Sequence, residues 1–480
     1  MQLVVVLLLL SLFPIIVVSG PGTNAELYRR IPIPKPFLVT ENEHTFGGDV
    51  RIGDLNGDGQ CDFLVYRSRH SGPGGPAIGG FKPSFLGAFE MDGTILWSVG
   101  EGGTHPVRPG SVAIHDIDGD GSAEVIHFWH QPTPESQANW RNLSDIVIQI
   151  RDGKTGNILR EAAPKSITQR SCIPKQQPGK PKLSIGRQTA NWVHQRILVA
   201  NFRGLDRPRD FVVKLGDTHV AFDDQLKTLW TYTTDWVEYS QCPAYIPAIG
   251  DIDGDGKDEL NSGYFLLDDN GEALWTQKLA DHMDSVAITQ WDNGQTRAIC
   301  SGFGHVVDTQ GKAVLALGAT AVPHGQEVRI ANFLKNLPGP EMALRHKGHT
   351  PDLILVSSSN HKIVKRLKLN PSPTNVGMEP VFWNGFDHAA LLYNGGWLWD
   401  LEAGQGTPLP ELPPPHGAKI HRMGFYHASP ANICGDLREE LVLWDPTATH
   451  IFVYTQPDAT KAQYKGYRPG PRQYNPRIMD

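Results

Sequence analysis

The chain is poor in cysteine, in helical periodicity and in runs of like charge. Five cysteines in 480 residues, an odd number, exclude a disulfide scaffold. Cys61 and Cys300 fall in strand-like runs and read as buried thiols, while Cys172 and Cys242, in long loops, are the one bridge to expect. A net charge of -7, spread without a basic or acidic block, gives no reason to expect a nucleic-acid or membrane-surface partner. After residue 18 no apolar stretch is long enough to span a bilayer. Hydrolytic Ser-His-Asp spacing, a phosphate-binding glycine loop and a zinc motif are all missing.

The apolar run that does occur, Leu3 to Val18, has the length of a signal-peptide core. Val17 and Ser19 give a small-residue cleavage pattern before Gly20, so residues 1–19 are expected to be a signal peptide and the product secreted. The sequon Asn142-Leu143-Ser144 is consistent with that route. The remainder, 20–480, is read as one catalytic domain. With Gly 50 and Pro 37 it is rich in turn formers.

An apolar run, a turn and a second apolar run recur eight times. The first runs are Val50 to Asp54, Ser111 to Asp116, Arg196 to Asn201, Ile246 to Asp251, Ser285 to Trp291, Glu327 to Asn332, Pro380 to Phe386 and Lys419 to Phe425. Two further strands usually follow, joined by Asp-Gly or Asn-Gly as in Met91-Asp92-Gly93 and Asp269-Asn270-Gly271, residues that favour tight hairpins. Four antiparallel strands per unit predict an all-β, single β-propeller of about eight blades, seven if one unit is irregular. Separate β-sandwiches would need larger units and linkers.

Three turns between first and second strands share an acidic pattern. They are Asp54-x-Asn56-Gly-Asp58-Gly-Gln60-x-Asp62, Asp116-x-Asp118-Gly-Asp120-Gly-Ser122-x-Glu124 and Asp251-x-Asp253-Gly-Asp255-Gly-Lys257-x-Glu259. Side-chain oxygens at positions 1, 3 and 5, a backbone carbonyl at 7 and a carboxylate at 9 can surround a hard cation. Two or three structural Ca2+ sites are therefore expected. Asn201-Phe-Arg203-Gly and Asn332-Phe-Leu-Lys335 have lost the pattern and are read as metal-free turns. Some blades do without the cation, which argues for scaffolding rather than chemistry.

In a propeller these turns lie on one face and the long connections on the other. The long connections carry Arg69, His70, His105, Arg108, His130 and Tyr239, and His324 precedes the sixth unit. Arginine can offset a carboxylate, and histidine and tyrosine can move protons. Singly, each histidine is more often a hydrogen-bonded structural residue. Their convergence is what would signify a site.

The acidic loops, His324-Gly325 ahead of a strand, and Cys434-Gly-Asp436-Leu-Arg438-Glu439-Glu440 in the last unit resemble the secreted β-propeller polysaccharide lyases, including rhamnogalacturonan lyases. The compact layout, ending in Arg472-Gln-Tyr474-Asn-Pro-Arg477, looks similar to fungal L-rhamnose-α-1,4-D-glucuronate lyases. The resemblance implies β-elimination at a rhamnose joined to O4 of glucuronate, in a rhamnose-capped acidic plant polysaccharide such as gum arabic, by a monomer. It implies His105 as principal base and acid, with Tyr239 or His130 assisting. Arg69, His70, Arg108 and His324 would bind substrate. Two alternatives stand beside it: a rhamnogalacturonan lyase acting on pectin, and a non-catalytic, integrin-like binding propeller.

Overall fold

The computed structural model describes residues 23–38, 50–68, 83–101, 111–131, 143–169, 195–234, 243–280, 282–370, 372, 377–414, 426–444, 449–457, 466–470 and 474–475. They form eight four-stranded antiparallel sheets. Blade I spans 50–100, II 112–162, III 196–233, IV 248–276, V 286–316, VI 327–368 and VII 379–408. Blade VIII takes three strands from 427–455, and its outermost strand is Glu26–Pro32 from the other end of the chain, paired with His450–Thr455. The chain thus closes its own ring and leaves no blade a strand short.

Alternation within each strand builds the ring. One side chain in two faces the preceding blade and the next faces the following one, so both sides of a blade are apolar. Separate cores fill the seams. Ile126, Phe128 and Ile148 of blade II pack on Val199, Phe211 and Phe222 of blade III. Phe63, Val65 and Phe89 of blade I pack on Val442, Trp444 and Val453 of blade VIII, which closes the circle.

A tryptophan in the outermost strand pins three seams. Trp97 Nε1 donates to Gly153 O (2.6 Å), Trp230 Nε1 to Asp269 O (2.7 Å) and Trp275 Nε1 to Asp308 O (3.2 Å), each carbonyl lying in a hairpin turn of the next blade. The hairpin glycines serve twice here. Gly156 and Gly271 hold φ of +71° and +84°, and a Cβ on either would stand 2.6–2.7 Å from the neighbouring indole.

Eight blades exclude the seven-bladed option. Two first strands differ from expectation. In blade VII the strand is Glu379–Val381 and stops short of Phe386, because Phe382 N turns away to Glu439 Oε2 (2.8 Å). In blade VIII it is His427–Ala431, directly ahead of its turn as in the other blades, whereas Lys419 to Phe425 lies outside the described residues. Cys61, Cys300 and Cys434 are free thiols, the first two buried. Cys172, Cys242, Asn142 and the segment 1–19 lie outside the described residues. Among those described, no helix is long and apolar enough to cross a membrane.

Candidate functional site

Each second strand begins at the face where the acidic loops sit, and the residue that opens it organises the loop. Leu55 N donates to Asp62 Oδ2 (2.9 Å), Ile117 N to Glu124 Oε2 (2.9 Å) and Ile252 N to Glu259 Oε2 (2.7 Å). The three carboxylates are essentially inaccessible. Their second oxygens are where the loops differ from ordinary turns. Asp62 Oδ1 and Glu259 Oε1 are buried with no hydrogen-bond partner. Around them stand further acids. Donor oxygens of Asp116, Asp118 and Glu124 lie within 4.8 Å of one another, as do those of Asp251, Asp253 and Asp255. Asp253 and Glu259 form a like group with Asp268, from the hairpin between the third and fourth strands of blade IV, a contributor the nine-residue pattern does not contain.

Burial, and then repulsion by these neighbours, pushes the metal-free carboxyls up. Asp62 rises to about 7 and Glu124 and Glu259 to about 8. Bare buried oxygens and crowded negative charge are what a hard cation relieves. At position 7 of the blade IV loop only the backbone carbonyl is suited. The Lys257 ammonium instead turns to Asp269 (2.9 Å). Asn56 Nδ2 donates to Glu90 (3.2 Å).

Two other blades keep the turn and meet its buried carboxylate with protein groups. In blade III, Arg203 N and Nε donate to the two oxygens of buried Asp210 (3.0 and 2.7 Å), and its Nη2 reaches Asp224 (2.9 Å). A guanidinium from the loop itself thus meets the carboxylate. Blade VIII repeats the nine-residue geometry from Asn432 to Glu440: Ile433 N donates to Glu440 Oε2 (2.8 Å) and Gly435 N to Asn432 Oδ1 (2.6 Å). Thr455 Oγ1 satisfies Glu440 Oε1 (3.1 Å), and Arg438 holds Asp436 (2.6 Å). Leu437 takes position 6 at φ +74°, where the acidic loops have glycine. Glu341 Oε1 of blade VI is also bare and buried, but its loop Asn332–Lys335 brings no acidic set.

The opposite face presents different chemistry. Tyr245, His282, Asp284 and His324 lie in the segments entering blades IV, V and VI, two to four residues ahead of the inner strands Ala248–Gly250, Val286–Gln290 and Glu327–Ala331. Consecutive inner strands therefore carry them to one arc of the ring. Met283 is buried in the seam, so in extended chain His282 and Asp284 share the other side. Asp284 is fully buried, and its oxygens face His282 Nδ1 at 3.2 Å and His324 Nε2 at 3.6 Å. Neither oxygen has an aligned hydrogen bond. The imidazoles stand 5.0 Å apart between centroids. His282 Nε2 meets the Tyr245 hydroxyl at 3.4 Å, and the Lys214 ammonium lies 5.8 Å from the Tyr245 ring.

Burial alone would lower the His282 imidazole, but the Asp284 carboxylate raises it above its ordinary value. Burial likewise works to raise Asp284, and the two imidazoles outweigh it and hold the carboxyl down. His324, with its side chain 44 % exposed, is the most exposed member. Donor atoms of His282, Asp284 and His324 lie within 4.8 Å of one another, so the set also fits a divalent cation.

Of the residues expected from sequence to act, His324 falls in this cluster. His130 sits in blade II, with Nε2 2.5 Å from buried Asp145, and is no part of the cluster. His105, Tyr239, Arg69, His70 and Arg108 lie outside the described residues. Sequence reasoning missed His282, Asp284 and Tyr245. Their shared place just ahead of consecutive inner strands is the signal that would have found them.

A family described as rhamnogalacturonan lyase family 11, C-terminal domain, matches residues 217–347, a span containing all four residues of the cluster. The rhamnogalacturonan endolyase YesW of Bacillus subtilis (strain 168) is 25 % identical over 481 residues, covering 90 % of this chain and 72 % of YesW. Its crystal structure superposes with a TM-score of 0.65 over 89 % of this chain and 75 % of that one, at 20 % identity. The exolyase YesX of the same organism is 23 % identical over 289 residues, 54 % of this chain and 44 % of YesX. The V. cholerae biofilm matrix protein Bap1 shares the fold, with a TM-score of 0.58 at 13 % identity over 94 % of each chain.

Proposed function

We propose that this polysaccharide lyase cleaves, by β-elimination, the bond joining a rhamnose to O4 of a uronate in an acidic plant polysaccharide. The observation that carries the reading is the convergence of Tyr245, His282, Asp284 and His324 on the face away from the acidic loops, inside the span matched by the lyase family.

Elimination needs the uronate carboxylate neutralised, the C5 proton taken and the leaving O4 protonated. His324 reaches outward and is oriented by a buried carboxylate. His282, braced by Tyr245, stands beside it as a second proton-bearing group. As an alternative to proton transfer by the imidazoles, a divalent cation held by His282, Asp284 and His324 would supply charge for the substrate carboxylate. Galacturonate, with C5-H and O4 on opposite sides of the ring, requires two separated groups, whereas in glucuronate they leave from nearly the same side and one group can serve. The likeness to rhamnogalacturonan lyases supports the first substrate.

Calcium in the loops of blades I, II and IV is proposed as scaffold, supported by the bare oxygens of Asp62 and Glu259. Secretion, a single catalytic domain and a monomer complete the reading.

The test is incubation with rhamnogalacturonan and, separately, with rhamnose-capped glucuronate arabinogalactan, following ultraviolet absorbance of the unsaturated uronate. Absorbance with one polymer identifies the uronate. Sugar binding without absorbance on either overturns elimination in favour of a binding propeller. His324→Ala and Asp284→Asn are each expected to lower kcat by about a hundredfold or more. His324→Ala should still unfold in one cooperative thermal transition, which separates lost chemistry from a lost fold.

A further inference from the structure

We propose that Lys347 is the residue that captures a uronate carboxylate of the substrate. The inference rests on the elimination reading for the chemistry at the bond, but not for the binding it describes.

The cluster's own charges are committed to one another, with Asp284 between two imidazoles. A polyanionic substrate needs a further cation that faces outward beside them. Among the described residues of this face, Lys214 is 1 % exposed and Arg345 is sealed against Glu327. Lys278 is exposed but follows the outermost strand of blade IV, at the rim. Lys347 is different. It lies in the turn between the second and third strands of blade VI, and that turn is laced to His324: His324 N donates to His346 O (3.2 Å) and Gly348 N to His324 O (2.8 Å). His324 and Lys347 are therefore partners in a parallel bridge, where paired side chains leave on the same side. Gly348, at φ +59°, passes close under the His324 ring, and a Cβ there would stand 3.6 Å from Cγ.

The Lys347 side chain is 52 % exposed, and its ion pair with Asp352 is long at 3.5 Å. Such a surface pair contributes little and yields readily to a better-placed carboxylate. The four-carbon stem gives the ammonium freedom to follow it. A turn fixed by backbone bonds to an exposed imidazole, carrying a loosely held cation, is suited to orient an acidic sugar over His324.

Binding of an acidic rhamnose–uronate oligomer is measured by calorimetry on the full chain, alongside the same oligomer with its carboxyls reduced to alcohols. Lys347→Ala is expected to weaken binding of the acidic oligomer roughly ten- to a hundredfold. Lys347→Arg should restore most of that, and the reduced oligomer should bind wild type and Lys347→Ala alike. In turnover the loss should appear in KM with kcat held. Wild-type affinity for the acidic oligomer in Lys347→Ala overturns the proposal. Lys347-dependent binding with no turnover of either polymer overturns the elimination reading and leaves the lysine's role standing.

Discussion

Calcium and protons should compete for the acidic loops, and the size of the competition follows from the buried carboxylates. In the metal-free protein Glu124 and Glu259 are held near 8 against an ordinary 4.5, and Asp62 near 7 against 3.8. Burial is the largest cause in each case. A carboxyl raised in the folded state binds more protons there than in the unfolded chain. Metal-free stability therefore falls as pH rises from about 4.5 to about 8. A bound cation needs the ionised form, so its affinity runs the other way. Between pH 8 and pH 6, a site governed by one carboxyl near 8 should weaken roughly fiftyfold, or about 2 kcal/mol. The loop of blade I, governed by Asp62, should weaken only about tenfold, or about 1.4 kcal/mol.

The assay is thermal unfolding in calcium and in EDTA across that range, with calorimetry in two buffers to count protons released. The gap between the calcium and EDTA curves should widen with pH. Near pH 6.5 each of the Glu124 and Glu259 sites should release about one proton on binding calcium. Glu124→Gln should abolish the calcium response of its own loop. In EDTA at pH 8 and above it should stabilise the fold, since the buried charge is gone and the amide oxygen still accepts from Ile117 N. A calcium response that does not change between pH 6 and pH 8, or binding without proton release, refutes the reasoning.

Arg203→Ala should cost about 2 kcal/mol of stability, discounted for the partial exposure of the guanidinium, and the loss should add to that of EDTA, because blade III supplies its own cation. Gly466→Ala should loosen the contact of Gly466 and Tyr467 with the blade I loop. Gly466 holds φ +96° where a Cβ would meet Gly59 O at 2.6 Å, and Tyr467 N donates to that carbonyl (2.7 Å) within the blade I loop. A loss of about 1–3 kcal/mol is expected, read as faster proteolysis of the tail.

The repeat was legible because each inner strand, turn and second strand recurs with one polarity, which left seven or eight units open until the sheets themselves showed eight. Strand ends were less legible where a loop side chain redirects the backbone, as Glu439 does at Phe382. The acidic loops could be read because their ligands are contiguous. Asp268 could not, since the fold brings it in from a different hairpin. The catalytic-type cluster was hardest. His324 drew notice for its glycine neighbour, but His282 and Asp284 come from another blade and Tyr245 from a third. No local spacing links them. What links them is an equivalent position relative to three successive inner strands, visible once the units are aligned on those strands and not on the acidic turns.

The two faces divide their work for a physical reason. A loop cation that serves only to hold a turn can be exchanged for any positive group of suitable reach, and blade III makes that exchange with Arg203 while keeping the turn and its buried carboxylate. In blade VIII the same backbone geometry survives with threonine and arginine in place of a metal-suited set. A cation doing chemistry tolerates no such exchange, because a guanidinium offers neither open coordination nor a Lewis-acidic centre. The substitutions seen around the ring therefore support the proposal that the acidic loops are scaffold. They also account for the position of the cluster. Contiguous turns on one face repeat the same motif and present nearly the same groups, whereas the segments entering successive blades on the other face can differ freely. Unlike side chains such as Tyr245, His282, Asp284 and His324 are assembled there.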